Sequence, residues 1–309
     1  MLRANQAVRL GLRAASRNPE LAFGKALIDQ LGNFLALMPF LLGGLLLAAA
    51  LQWKGLSGAL RAVDLLRWPT LGALLAALVV SFALGMLFWS GALPLLAADA
   101  EMDARPPPGS FALLAARGFS RVLLAGALGQ ALALLFALAC GAALVAALPA
   151  FAARRSAALL AGVALVGAAA IVGAIAVDLL ARLVLVRAAA FGDGVSAAFA
   201  RAASLLGARL GACLAIALAF LLLELVVATA AGAITGAISS AAFFDPDAEL
   251  LALAPRLAVG LASAAVFAWL DVGRQTALAA LVADAEGLIQ PPPPLLQAEP
   301  VIEALPADE

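Results

Sequence analysis

The sequence has no histidine and no tyrosine, only two cysteines, and just 12% charged residues. Losing histidine removes the commonest metal ligand and the commonest general base. Cys140 and Cys213 each lie inside an apolar run, where cysteine behaves as a small hydrophobe rather than half of a redox pair. Basic and acidic residues number 19 each, so net charge selects neither nucleic acid nor a broadly acidic partner. No serine-centred nucleophile elbow, zinc spacing or paired catalytic carboxylates occur. Gly192-Asp193-Gly194 lacks the preceding strand and the following Lys-Ser/Thr that a phosphate loop needs, and reads as a turn. Nothing here calls for a cofactor, a metal or nucleic acid. An enzyme ranks last among the readings, since it would need two isolated carboxylates to meet at a membrane surface.

What the chain has in excess is apolar surface. With 65% hydrophobic residues, a water-soluble protein of 309 residues could not cover itself with polar groups, so lipid must be the solvent for much of it. Crossing a hydrocarbon core of about 30 Å takes roughly 20 helical residues. Six runs reach that length: 33–52, 70–97, 122–149, 157–186, 207–240 and 252–283. The expected fold is therefore all-α and integral to a membrane, with six transmembrane helices. It is framed by a basic segment (1–19), a membrane domain (20–286) and a Pro-rich acidic tail (287–309).

Arg9, Arg13 and Arg17 stand at helical spacing in the first segment, which suits an anionic leaflet as well as a plain cytoplasmic tail. Asn18-Pro19-Glu20 has the residues of a helix start: a capping Asn, Pro in the first turn and an acid at the positive dipole end. Short amphipathic helices on the cytoplasmic face are expected at 20–31, 110–121 and 195–206. Phe23, Phe111 and Phe199 are spaced 88 residues apart, and Asn33, Arg121 and Arg209 repeat that interval. The pattern suggests three tandem units, each a surface helix followed by two membrane helices. LLAADAE at 95–101 also nearly matches ALVADAE at 280–286, as if equivalent elements end alike.

With a cytoplasmic amino terminus, thirteen basic residues fall on the inner side (Arg3, Arg9, Arg13, Arg17, Lys25, Arg105, Arg117, Arg121, Arg182, Arg187, Arg201, Arg209, Arg274). Six fall outside (Lys54, Arg61, Arg67, Arg154, Arg155, Arg256). That imbalance places both termini inside, in the inner membrane of a bacterium whose Arg-, Ala- and Leu-rich composition fits a GC-rich genome. The connection 54–68 is expected to lie along the outer interface, bracketed by Trp53 and Trp68.

Charges inside apolar runs cost roughly 2.5–3.5 kcal/mol on insertion scales, so each needs a partner or water. Asp178 and Arg182 are four apart and Asp271 and Arg274 three apart, spacings that let each pair neutralise along its own helix. Glu224 has no basic residue within a turn or two. It must be protonated, bonded across helices or facing water. These five are the candidate intramembrane polar site. Gln130, Thr229 and Thr235 read as interhelical hydrogen-bond formers. Gly207-x-x-x-Gly211 and Gly232-x-x-x-Gly236 read as close helix-packing faces within the chain.

The run Val177-Asp178-x-x-x-Arg182, Val186-Arg187, Ala198-Phe199-x-x-Ala202-x-x-Leu205, followed by an apolar helix, carries a resemblance. It is similar to bacterial multipass proteins related to the membrane domain of glycerophosphodiester phosphodiesterases. Those have a membrane helix ending in a basic patch, then an amphipathic cytoplasmic helix, then another span. The likeness covers about 50 residues. It implies architecture and a role at the membrane, and carries over no catalytic residue.

Two readings follow. The leading one is a non-enzymatic scaffold or accessory subunit, with the lipid bilayer and other membrane proteins as partners. The rival is a transporter or permease for a small or lipid-like substrate, which requires the five polar residues to converge on a water-accessible cavity.

Overall fold

The computed structural model describes residues 2–102, 110–153, 157–242 and 246–289. The triple proline at 106–108, Arg154 and Arg155, and the tail from 290 onward lie outside the described residues. The helices are α1 (Ala4–Arg17), α2 (Pro19–Met102), α3 (Ser110–Ala153), α4 (Ala157–Ala190), α5 (Val195–Ala208), α6 (Leu210–Ala242) and α7 (Pro246–Ala285), with no strand among the described residues. Six stretches are long and apolar enough to cross a membrane: Pro19–Gly55, Leu65–Asp99, Phe111–Ala143, Ala164–Ala190, Leu210–Ser240 and Leu251–Ala285. The chain is an all-α, six-span membrane protein.

The spans pair as three antiparallel hairpins. α2 reverses at Gly55, whose φ of +63° is open to glycine at no steric cost. Its two halves then lie together, Gly32 against Ser81 and Gly43 against Thr70. α3 and α4 form the second hairpin, where Gly129 meets Ala181 and Gly173 meets Phe136. α6 and α7 form the third, and α7 also packs on α1 and on α2. The described chain ends lie together, because the backbone N–H of Leu2 donates to Asp284 at 2.9 Å.

Two expected surface helices are not separate elements. Residues 20–31 are the opening turns of the first span, since Gly32 alone does not break a helix that Pro19 has started. Residues 110–121 likewise run on into the third span. The separate short helices are α1 and α5, each of 14 residues. α5 is set off by Gly192 (φ +75°) before it and by the non-helical backbone of Arg209 after it. The connection after Gly55 is also helical and continues directly into the second span rather than forming an interfacial helix of its own. Trp53 and Trp68 are both exposed there, with the Arg67 guanidinium 5.5 Å from the centre of the Trp68 ring.

Among the described residues, burial is concentrated at the end that holds Leu2 and Asp284. Apart from Pro39 and Ala252, the buried residues fall in 7–26, 88–99, 115–129, 179–189, 198–205, 213–220 and 268–283. The core there is built from Phe88, Trp89, Leu93, Leu96, Leu183, Ile216, Phe220, Leu278 and Leu281. α1 is clamped onto it through Ala7, Gly11, Ala14 and Ala15. A Cβ on Gly11 would lie 2.2 Å from the carbonyl oxygen of Gly273, so glycine is what lets α1 cross α7 this closely.

Each hairpin is tied at that end by a polar contact from the start of its first span to the end of its second. Asn18 Nδ2 donates to Asp99 at 3.4 Å and to the carbonyl of Ala14 at 2.9 Å. Asn18 therefore starts α2 through its carbonyl, which accepts from Leu21 at 3.1 Å, and not through its side chain. Arg121 donates to the carbonyls of Ala188 at 2.8 Å and Gly192 at 3.0 Å. Arg209 pairs with Asp284. The matching peptides at 95–101 and 280–286 thus supply equivalent acceptors, Asp99 and Asp284. Of the residues in the 88-residue interval, Arg121 and Arg209 do play one role, and in the first unit the role falls to Asn18 rather than Asn33.

Candidate functional site

Where the core stops, the charges begin. Arg182, on α4, donates from Nε to Asp178 at 2.8 Å, the pairing its spacing predicts. Its Nη1 also reaches Asp271 of α7 at 2.9 Å. Asp271 in turn accepts from Arg274 Nη2 at 3.1 Å, again as the spacing predicts. Arg274 Nη1 then lies 3.5 Å from Glu224 Oε1 on α6. Of the three states open to Glu224, the structure gives pairing across helices.

All five singled-out residues therefore belong to one network, and Asp271 is its hub. Two more residues join from the first span. Lys25 Nζ is 3.5 Å from Asp271 Oδ2 and donates to Asp29 Oδ1 at 2.6 Å. Four helices are tied by seven charged side chains, three cations and four anions, which leaves one negative charge in excess when all are ionised. From the sequence alone Lys25 reads only as a topological charge. The signal was present, since Lys25 and Asp29 have the same four-residue spacing as Asp178 and Arg182.

The network is unevenly covered. Lys25 and Arg274 are largely enclosed, whereas the Asp178 and Asp29 side chains are 53% and 44% exposed at opposite edges. The Nε of Arg274 is buried and meets no hydrogen-bond acceptor among the described residues. From Asp29 the surface opens into a cleft of about 460 Å³ between the first, second and sixth spans. Its polar lining is Asp29, Gln30, Asn33 and Ser81, and Phe267 and Ile28 close its apolar side.

No protein-family model, curated protein or solved structure matches this chain.

Other expectations are corrected by the geometry. A Cβ on Gly207, Gly211, Gly232 or Gly236 would meet nothing within 4 Å, so these glycines pack against no other helix among the described residues. Close approach is served instead by Gly11, Gly91, Gly126, Gly129 and Gly173. In a chain rich in Ala and Gly, the small-x-x-x-small pattern recurs on faces that never meet a neighbour. The Thr229 hydroxyl donates to Leu225 of its own helix at 2.7 Å rather than across to another. Gln130 and Thr235 make no interhelical side-chain bond among the described residues. Cys140 and Cys213 are both free thiols, as their apolar settings imply. No group of three or more metal-ligating side chains occurs among the described residues.

A second charged cluster lies nearer the termini. Arg187 pairs with Asp193 at 3.0 Å and with Glu286, and Arg201 reaches the same Asp193 at 2.9 Å. It fixes the Gly192–Gly194 turn, and with it α5, against the end of α7.

Proposed function

We propose that this multipass membrane protein is a transporter or permease component for a small or lipid-like substrate, with the charged layer closing its path on the side of the termini. The observation that carries this is convergence. Five charged residues from three helices meet through Asp271, a fourth helix adds Lys25 and Asp29, and the layer opens through Asp29 into a cleft lined by amides and a hydroxyl. Helices held only for scaffolding can neutralise each charge along its own axis. A network exposed at both edges, with an unfilled donor on Arg274, is built instead for polar groups to enter and exchange partners.

The basic residues of α1 and of the hairpin ties favour an orientation with both termini cytoplasmic, in a bacterial inner membrane. A reporter fused after residue 309 that is active only in the cytoplasm supports this orientation, and activity outside overturns it. The sequence α4, Gly192 turn, α5, α6 has the order of elements that the likeness to the phosphodiesterase-associated membrane domains implies, and it supports that kinship as part of the proposal. The test of transport is access. In a Cys140→Ala, Cys213→Ala background, Ser81→Cys is labelled in intact cells by a membrane-impermeant maleimide applied outside. Absence of labelling on either side of the membrane removes the aqueous cleft and returns the protein to the scaffold reading. That reading draws its own support from the apolar far halves of the hairpins, where Leu45, Leu138 and Val226 are all exposed.

A further inference from the structure

A second cavity of about 510 Å³ lies outside the charged layer, between α1 and α7, lined by Leu12, Arg13, Ser16, Arg17 and Trp269. α1 carries Arg9, Arg13 and Arg17, with Arg3 just before it, and not one acidic residue. Arg13 is exposed and pairs with no acid among the described residues, and the indole N–H of Trp269 donates to none of them. Trp269 precedes Asp271 by two residues on α7, about 3 Å of helix rise, so the groove stands at the height of the charged layer. An indole belongs at the headgroup level of a bilayer, with its apolar face toward the chains and its N–H toward the polar region.

We propose that this groove binds the phosphate headgroup of an anionic phospholipid. Arg13 and Arg17 would face the phosphate, the Trp269 N–H would donate to the glycerol-ester region, and Leu12 would lie against the first methylenes of the chain. The Ser16 hydroxyl already donates to the Leu12 carbonyl at 2.9 Å, which turns its oxygen away from the role of donor and leaves recognition to the guanidinium groups. Guanidinium suits this ligand because its planar fork matches phosphate oxygens. The lipid is the favoured source of the phosphate because the groove combines that charge with an apolar wall, which a free anion would not use.

The test uses the full chain in mild detergent, with native mass spectrometry of bound dioleoylphosphatidylglycerol against dioleoylphosphatidylcholine. The wild type is expected to retain phosphatidylglycerol in preference. Removing both charges (Arg13→Gln, Arg17→Gln) is expected to weaken retention roughly fivefold per arginine, and Arg13→Gln alone gives the same direction should the double variant not fold. A charge-matched control, Arg3→Gln with Arg117→Gln, lies at the same end away from the groove and is expected to bind like wild type. Equal loss in the control means diffuse attraction and overturns the site. Displacement of the lipid by millimolar inorganic phosphate overturns its assignment to a lipid, and equal retention of phosphatidylcholine overturns the recognition of charge.

Discussion

The two ends of the hairpins obey different rules. Toward the termini, seven stretches of helix bury Phe, Trp, Leu and Ile against one another, with α1 and α5 packed on the outside. Toward the far end the same helices are just as apolar, yet Leu45, Leu75, Leu138, Val166, Val226 and Leu261 are all exposed. Hydropathy does not separate these regions, but solvent does. In lipid an apolar side chain gains nothing by leaving its surroundings, so a core forms only where water would otherwise reach the helices. Length agrees: α7 has 40 residues, about 60 Å of helix, against a hydrocarbon core of about 30 Å. The charged layer lies at the change of regime, where ionic side chains still reach water and already meet between helices.

Truncation at matched depths tests this contrast most severely. Phe220→Ala, from a fully buried side chain among α6, α7 and α1, is expected to cost about 3–5 kcal/mol. Leu222→Ala, two residues on and 61% exposed, is expected to stay within about 0.5 kcal/mol. Thermal unfolding in detergent, followed by thiol exposure at the buried Cys213, reads both. Equal losses would mean that the outward face of α6 is covered as tightly as its inward face, and that burial at this depth does not decide the cost.

Next comes the layer itself. Asp271 faces Arg182, Arg274 and Lys25, and neutralising it removes the one acid they share, leaving each a single carboxylate on Asp178, Glu224 or Asp29. Asp271→Asn is expected to cost about 2–3 kcal/mol, below the figure for a fully buried pair because the side chain is 19% exposed. Asp178→Asn, at the exposed edge, is expected to cost under about 1 kcal/mol. If the two variants melt alike, Asp271 is no hub.

The glycines sharpen the comparison further. Gly11→Val drives a branched side chain into the Gly273 carbonyl and is expected to cost about 1–3 kcal/mol, releasing α1 to protease. Gly236→Val, in open space, is expected to leave both melting and proteolysis unchanged.

These pairs also show why some of the structure was legible beforehand and some was not. The six spans could be read because length and hydropathy are local properties, and a membrane leaves helix as the only way for such runs to satisfy their backbone. Asp178 with Arg182, and Asp271 with Arg274, could be read because helical spacing makes them neighbours. That Arg182 also meets Asp271, 89 residues away, follows from how hairpins dock, on which spacing is silent. Glycine misled for the same reason: Gly207 and Gly236 sit in the expected pattern but on unpartnered faces, while Gly11, within Ala7-x-x-x-Gly11-x-x-x-Ala15 of the short helix α1, makes the tightest crossing. The surface helix expected at 20–31 failed because amphipathic periodicity does not reveal whether a helix stops. Only a breaker does, as Gly192 does before α5.

The finest distinctions lie among the hairpin ties, and they decide whether the threefold likeness is mechanical or only historical. Asn18 with Asp99, Arg121 with two carbonyls at the end of the fourth span and just past it, and Arg209 with Asp284 occupy the same place in successive hairpins. They differ in strength: the first is a long amide contact at 3.4 Å, the second a cation with two carbonyls and the third a full ion pair. Removing a neutral partner is expected to cost about 0.5–1.5 kcal/mol, and a charged one about 1.5–3 kcal/mol, less where water reaches the pair. Asp99→Asn should therefore be the mildest change, and Arg209→Gln and Arg121→Gln larger but below the Phe220 truncation. Because each tie joins the two ends of one hairpin, losses in double variants should add to within about 0.5 kcal/mol. Strong non-additivity between Arg121→Gln and Arg209→Gln would instead mean that the hairpins lock as one body, with Arg187, Asp193 and Glu286 as the link between them.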